Sequence, residues 1–216
     1  MPETLTNARI IEFLKQKFKG AGFIDSLKIK YRSLICPFTE LIGMVKPGEK
    51  AGDVGCGSGQ FLLLLTRFSS PSFVYGIEIT PRLIENANSL FADQRPGSYE
   101  FNTFDGNTFP DKLGEMDIIF LIDVLHHVPP GAQSDFIRNL AAKMKPGARL
   151  ILKDINASSP LVYANRLHDT IFGGGRGHEL KMNDAKKLLE SCGLQITSAS
   201  KRTMYVYPHY TFVAQK

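Results

Sequence analysis

Hydrophobic positions recur along this chain with two different periods. Residues 7–19 place Ile10, Ile11, Phe13, Leu14 and Phe18 on one face of a helix, and Gly20-Ala21-Gly22 ends it. A second helical stretch, residues 24–45, is interrupted near Pro37, because proline has no backbone N–H to donate. Lys46-Pro47-Gly48 then reads as a turn. Beyond it short apolar runs alternate with helical patterns. Strands are expected at 51–55, 72–79, 99–104, 116–122 and 149–153, and helices at 60–68, from Pro81 on, and at 135–144. Thr80-Pro81 has the form of an N-cap followed by proline in the first turn. A helix over 183–192 stops at Gly193, and two last strands are expected at 194–200 and 210–214.

This alternation predicts an α/β fold. The sheet is open, twisted and Rossmann-like, mostly parallel, with helices on both faces. The link 201–209 is too short for a crossover helix, so the last strand is expected antiparallel. The chain divides into an N-terminal helical cap, 1–46, and a core domain, 47–216, that forms a single structural unit.

Composition narrows the class. Of 216 residues, 43% are hydrophobic and 22% charged, enough apolar surface to exclude a disordered chain. The longest apolar runs, 61–65 and 118–122, fall far short of the roughly 18–20 residues of a membrane span. The start Met1-Pro2-Glu3-Thr4 lacks the basic-then-apolar pattern of a signal peptide. Cys36, Cys56 and Cys192 fit neither a disulfide framework nor a zinc site, so a reducing, cytoplasmic setting is expected and no metal. The net charge is +5, and residues 1–50 hold nine Lys/Arg against five Asp/Glu. That excess is a solvated helix face or an attraction to an anionic substrate, a membrane surface or a nucleic acid.

The chemistry concentrates in Asp53-Val54-Gly55-Cys56-Gly57-Ser58-Gly59, between the first strand and the first helix of the core. Glycines there let a ligand approach the backbone, at the sheet edge where parallel α/β folds bind. The dinucleotide fingerprint G-x-G-x-x-G is not met, since Gln60 stands at its last position. Asp53 aimed into the loop would repel a pyrophosphate and suit an ammonium group.

These residues resemble the class I S-adenosylmethionine-dependent methyltransferases, whose motif D/E-x-G-x-G-x-G is matched by Asp53 to Gly59. The resemblance continues in register. Glu78, with Ile79 after it, takes the place of the acid that binds the ribose hydroxyls. Asp105, with Gly106, takes that of the residue binding the adenine amino group. Asp123-Val124-Leu125-His126-His127 resembles the family's segment beneath the methionine moiety, and Met144-Lys145-Pro146-Gly147 the turn before the fifth strand. The likeness spans about 47–155 and departs from the family at Ala51-Gly52, where a bulky apolar pair is usual; slightly weaker strand packing is expected there. The resemblance implies S-adenosyl-L-methionine as cofactor, with Asp53, Gly55, Cys56, Gly57, Gly59, Glu78, Ile79, Asp105, Gly106, Asp123 and Val124 binding it. It implies in-line displacement of the sulfonium methyl by an acceptor. A nicotinamide oxidoreductase and a catalytically silent cofactor-binding module are the rival readings.

Several residues carry two readings. Cys56 is a nucleophile or the small residue the loop needs, and Asp123 a base or a cofactor contact. His126 lines the pocket while His127 packs, since adjacent residues diverge too far to share an ion. Tyr205, Tyr207 and Tyr210 stack an aromatic substrate or pack in a core. Segments that mark base N-methylating and cytosine C5 relatives are missing, so no nucleic-acid partner is expected. The resemblance points to a small-molecule acceptor, aromatic, quinone-like or lipid-linked, with membrane-surface contact through the basic N-terminal helices. The oligomeric state is not legible. The stretch 160–178 runs from a helical pattern into Gly173-Gly174-Gly175 and Gly177, a candidate lid. His168 is its candidate general base, followed by His178, His126 and Tyr163.

Overall fold

The structure, a computed structural model, describes residues 5–17, 35–158, 177–205 and 207–216. Helices α1 (Asn7–Lys17) and α2 (Phe38–Gly43) precede strand β1 (Lys50–Val54). Then follow α3 (Gln60–Phe68), β2 (Phe73–Glu78), α4 (Pro81–Leu90), β3 (Tyr99–Thr103), β4 (Ile118–Ile122), α5 (Gln133–Lys143) and β5 (Arg149–Ile155). Helix α6 (Met182–Ser191) leads into β6 (Gln195–Met204) and β7 (Tyr207–Gln215). The seven strands form one sheet in the order β3-β2-β1-β4-β5-β7-β6. Strands β1 to β5 pair in parallel, and β7 lies antiparallel between β5 and β6. The order reverses between β1 and β4, which opens a crevice at their carboxyl ends, the place where such sheets bind ligands.

Each face of the sheet is buried under helices. Ile118, Phe120 and Ile151 meet Ile10 and Leu14 of α1, Phe38 and Leu41 of α2, and Phe61 of α3. Ile119, Leu121, Leu150 and Leu152 meet Phe136 and Leu140 of α5 and Leu189 of α6. A strand covered on both sides must be apolar throughout, as β4 is, with all five residues buried. The Phe61 ring stacks on Phe38 at 5.7 Å and meets Phe120 edge-on at 4.8 Å, tying α2 and α3 to β4. Helices α1 and α2 therefore share the core of one sheet face.

The structure departs from the sequence reading at four points. The hairpin link is much shorter than 201–209: β6 and β7 run on until Met204 pairs with Tyr207. Polar side chains suit β6 because it is an edge strand exposed along most of its length. Strand β5 continues past Lys153 through the buried Asp154 and Ile155. Gly52 does not weaken packing, because Met116 and Ile119 fill the space of its missing side chain; a Cβ there would lie 3.1 and 3.4 Å from them. The three tyrosines are dispersed. Tyr207 and Tyr210 are buried on opposite faces by strand alternation, and Tyr205 is exposed at φ 55°.

Gly76 of β2 offers a test of this packing. A Cβ there would stand 2.6 Å from Phe101 Cδ1 and 2.8 Å from Cys56 Sγ, both buried. Gly76→Ala is expected to destabilise the protein by about 2–3 kcal/mol, read from the urea midpoint. An unchanged midpoint would show that the ring and thiol yield freely.

Candidate active site

The loop after β1 is held by backbone bonds: the amides of Gly55 and Cys56 both donate to the Ile77 carbonyl, at 2.8 and 3.0 Å. Gly55, Gly57 and Gly59 all have positive φ, at 77°, 54° and 75°, a conformation that costs any other residue. Their surroundings differ. A Cβ on Gly55 would lie 2.5 Å from Val124 Cγ2, and one on Gly59 3.1 Å from Ala87 and 3.2 Å from Phe101. Gly57 faces open space, with nothing within 4 Å. Two glycines of the motif are thus required by neighbours inside the fold, and Gly57 presents bare backbone outward.

Cys56 is buried among apolar side chains, 4% exposed. That is the small loop residue, not an accessible nucleophile. Asp53, at the end of β1, is also 4% exposed. Glu78 ends β2, where one carboxylate oxygen accepts the Gly57 amide and the other the Thr80 amide, each at 3.1 Å. Two lone-pair positions remain for a ligand. Ile79 beside it is 63% exposed, one of two large hydrophobic side chains so exposed among the described residues. Asp105 Oδ1 accepts from the amides of Asn107 at 2.8 Å and Thr108 at 2.6 Å. Hydrogen bonds from the Thr108 and Asn107 backbone hold its carboxyl below the usual range. The turn thus orients the carboxylate before any ligand arrives, next to Gly106 at φ 87°.

Across the crevice, Asp123 follows β4 at φ 56°, a left-handed conformation rare outside glycine, asparagine and aspartate. Its two oxygens accept from Lys153 Nζ of β5 at 2.6 and 2.8 Å. Lys153 is 2% exposed and Asp123 28%. Burial pushes the Asp123 carboxyl up most strongly, but the Lys153 ammonium, together with His126 and His209, holds the group below its ordinary value. On the other face of β5, Asp154 Oδ1 lies 2.5 Å from His126 Nδ1, and Oδ2 accepts the His126 amide at 3.1 Å. The two histidines divide in a way opposite to expectation. His126 is buried on Asp154, and His127 is exposed with its ring 4.0 Å from that of His126. The Asp154 carboxylate selects the ring that can reach it.

Residues 177–180 are stitched to this loop. His178 donates its amide to the His126 carbonyl at 2.7 Å, and Gln133 Nε2 bridges the carbonyls of Leu125, Val128 and His178. His168 and Tyr163, and the lid glycines 173–175, lie outside the described residues. No group of three or more metal-ligating side chains is present among the described residues, and no described helix is long and apolar enough to cross a membrane.

The structure thus brings the loop 53–59, Glu78 and Asp123-Val124 to the carboxyl ends of adjacent strands. Sequence reasoning missed Lys153, Asp154 and His209, all buried near that edge. Two adjacent charges ending an otherwise apolar run, Lys153-Asp154, were the available signal.

Residues 31–199 match the family described as a methyltransferase domain. The chain is 30% identical over 140 residues to the ubiquinone biosynthesis O-methyltransferase of Coxiella burnetii, covering 65% of this chain and 54% of that protein. It is 33% identical over 117 residues to a tRNA N(3)-cytidine methyltransferase of Homo sapiens, covering 50% of this chain and 31% of that protein. The chain thus spans between 31% and 54% of these relatives' lengths. Among solved structures, the magnesium protoporphyrin IX methyltransferase of Synechocystis PCC 6803 with bound SAH superposes with a TM-score of 0.69. It is 22% identical, over 97% of this chain and 95% of that one.

The ion pair between β4 and β5 carries a stability prediction. Asp123→Asn keeps the shape and tolerates the left-handed backbone, but leaves the Lys153 ammonium buried without its counter-charge. A loss of about 3–5 kcal/mol is expected at pH 7 in urea unfolding. In the parent the pair's contribution is complete above the unfolded carboxyl value near 3.9 and fades as pH falls through the lower folded value. Asp123→Asn should lose that acid limb. Matching pH profiles would remove Asp123 from the acid transition.

Proposed function

Because the chain belongs to the class I S-adenosylmethionine-dependent methyltransferases, we propose that it methylates a hydroxyl of a small hydroxylated aromatic acceptor. The observation that carries the acceptor class is the match to an O-methyltransferase of ubiquinone biosynthesis, over 65% of this chain. The tRNA methyltransferase match, over half of the chain, supports a second reading with a base as acceptor.

The residues present fit the cofactor. Gly57 leaves open the space a side chain would fill, and Glu78 is already oriented by two backbone amides. We assign Glu78 to the ribose hydroxyls, Ile79 to an adenine face, and Asp105 with Gly106 to the adenine amino group. Asp53 with Gly55, Cys56, Gly57 and Gly59 takes the methionine end, and Asp123-Val124 closes the crevice from β4. Bound there, the cofactor supplies a methyl group already activated by its sulfonium. The chain then needs to bind, align and shield. An acceptor oxygen must be held in line at roughly 3–3.5 Å, and its proton must leave. We keep His168 as the base for that proton on sequence grounds, and the segment around it as the acceptor side.

Three measurements test this. Calorimetry should show binding of S-adenosylmethionine and no appreciable binding of NAD(H); tighter NAD(H) binding would overturn the assignment. Labelled methyl groups should pass from the cofactor to catechol and not to tRNA. Transfer to tRNA alone would favour the base-methylating reading, and cofactor binding without any transfer a silent module. Glu78→Ala should weaken cofactor binding by about 2–4 kcal/mol, roughly 30- to 800-fold. Part of that loss comes from the freed Gly57 and Thr80 amides. Parental affinity would take Glu78 out of the site.

A further inference from the structure

His209 is the third residue of β7, opposite Ile155 of β5 and Arg202 of β6. It is 1% exposed, yet among the described residues neither ring nitrogen has a partner in hydrogen-bond geometry. The Ile35 backbone faces the ring and favours its charged form. Two buried polar atoms without partners are costly, and natural interiors seldom keep them without a use.

The neighbourhood narrows what that use can be. Strand alternation puts Tyr207, His209 and Thr211 on one face of β7, and Lys153 and Ile155 on the same face of β5. This is the face covered by α1 and α2, and Tyr207 and Ile155 pack with Ile35 there. Among the described residues the charged groups acting on the ring are Lys153 on β5, Asp123 after β4, and Arg202 on β6, the last 3.6 Å from Glu40 of α2. Burial lowers the ring's pKa most, followed by the Lys153 ammonium, to about 4. The imidazole is therefore neutral across physiological pH, with one nitrogen that donates and one that accepts. It stands at the carboxyl end of β5, beside the Asp123-Lys153 pair that borders the cofactor crevice. A neutral donor–acceptor beside charges that are already paired matches a neutral protic ligand group, a hydroxyl above all.

We infer that His209 binds the acceptor, its ring exchanging a hydrogen bond with an acceptor hydroxyl on the α1–α2 side of the sheet. The inference rests on the acceptor class proposed above. Arg202 and Lys153 are already paired with Glu40 and Asp123, which leaves His209 to read the hydroxyl.

The test uses the full-length protein saturated with S-adenosylhomocysteine and catechol as probe. Imidazole nitrogen resonances are followed by NMR, and the His209 signal is identified by its loss in His209→Leu. Catechol should shift that signal saturably. His209→Leu should bind catechol roughly 3–10-fold more weakly, with cofactor affinity unchanged. The same variant should raise Tm by roughly 3 °C or more, because two unsatisfied buried nitrogens are removed. His209→Asn, which keeps a hydrogen-bonding atom, should recover part of the affinity. A fall of Tm in His209→Leu would show a structural ring and overturn the inference. Methyl transfer to catechol with an unmoved His209 signal would also overturn it, while leaving the proposed function intact. A shifted signal without transfer would leave His209 as a hydroxyl-binding residue and sink the proposed reaction. Neither shift nor transfer would reject both.

Discussion

The Asp123-Lys153 ion pair fixes the place where the sheet stops being scaffold and the candidate site begins. It joins β4 to β5 at their carboxyl ends, with a lysine that is almost wholly inaccessible. Asp123 turns the chain through a left-handed conformation, and its amide is anchored to the Lys153 carbonyl at 2.9 Å. That turn carries Val124 over Gly55, close enough that no side chain fits beneath it. It also delivers His126 to Asp154, the next residue along β5. Removing one partner would leave a buried charge, so the loop has few alternatives of comparable energy.

Strand alternation then splits the polar edge in two. Lys153 faces the α1–α2 side with Asp123 and His209, and Asp154 faces the α5–α6 side with His126. The second group is a fastening. Its histidine is bonded at Nδ1 and through its amide, and its carbonyl anchors the returning segment 177–180. The first group is different, because it contains a ring with no partner in hydrogen-bond geometry among the described residues. One short stretch of β5 thus supplies both rigidity and an unfilled polar position, on opposite sides of a single layer.

The glycine loop shows the same economy. Gly55, Gly59 and the strand residue Gly76 are glycines because Val124, Ala87, Phe101 and Cys56 occupy the space beside them. Gly57 is a glycine facing outward, where Glu78 holds its amide and a ligand can reach the backbone. Packing and binding select the same residue type for unrelated reasons.

The sequence by itself determined the layered α/β class, the positions of most strands and helices, and the loop 53–59 with Glu78 and Asp123. Those features are local: an all-apolar β4 needs cover on both faces, and acids stand at strand ends a fixed distance from the glycines. Only the tertiary structure decided what depends on contacts distant in sequence. Asp123 finds Lys153 thirty residues on, and His126 rather than His127 reaches Asp154 twenty-eight residues on. The glycine at position 52 is compensated by Met116 and Ile119, and the hairpin closes at Met204 and Tyr207, not nine residues wide. His209 carried no signal in the sequence, because burial without a partner is a property of its surroundings and not of the residue.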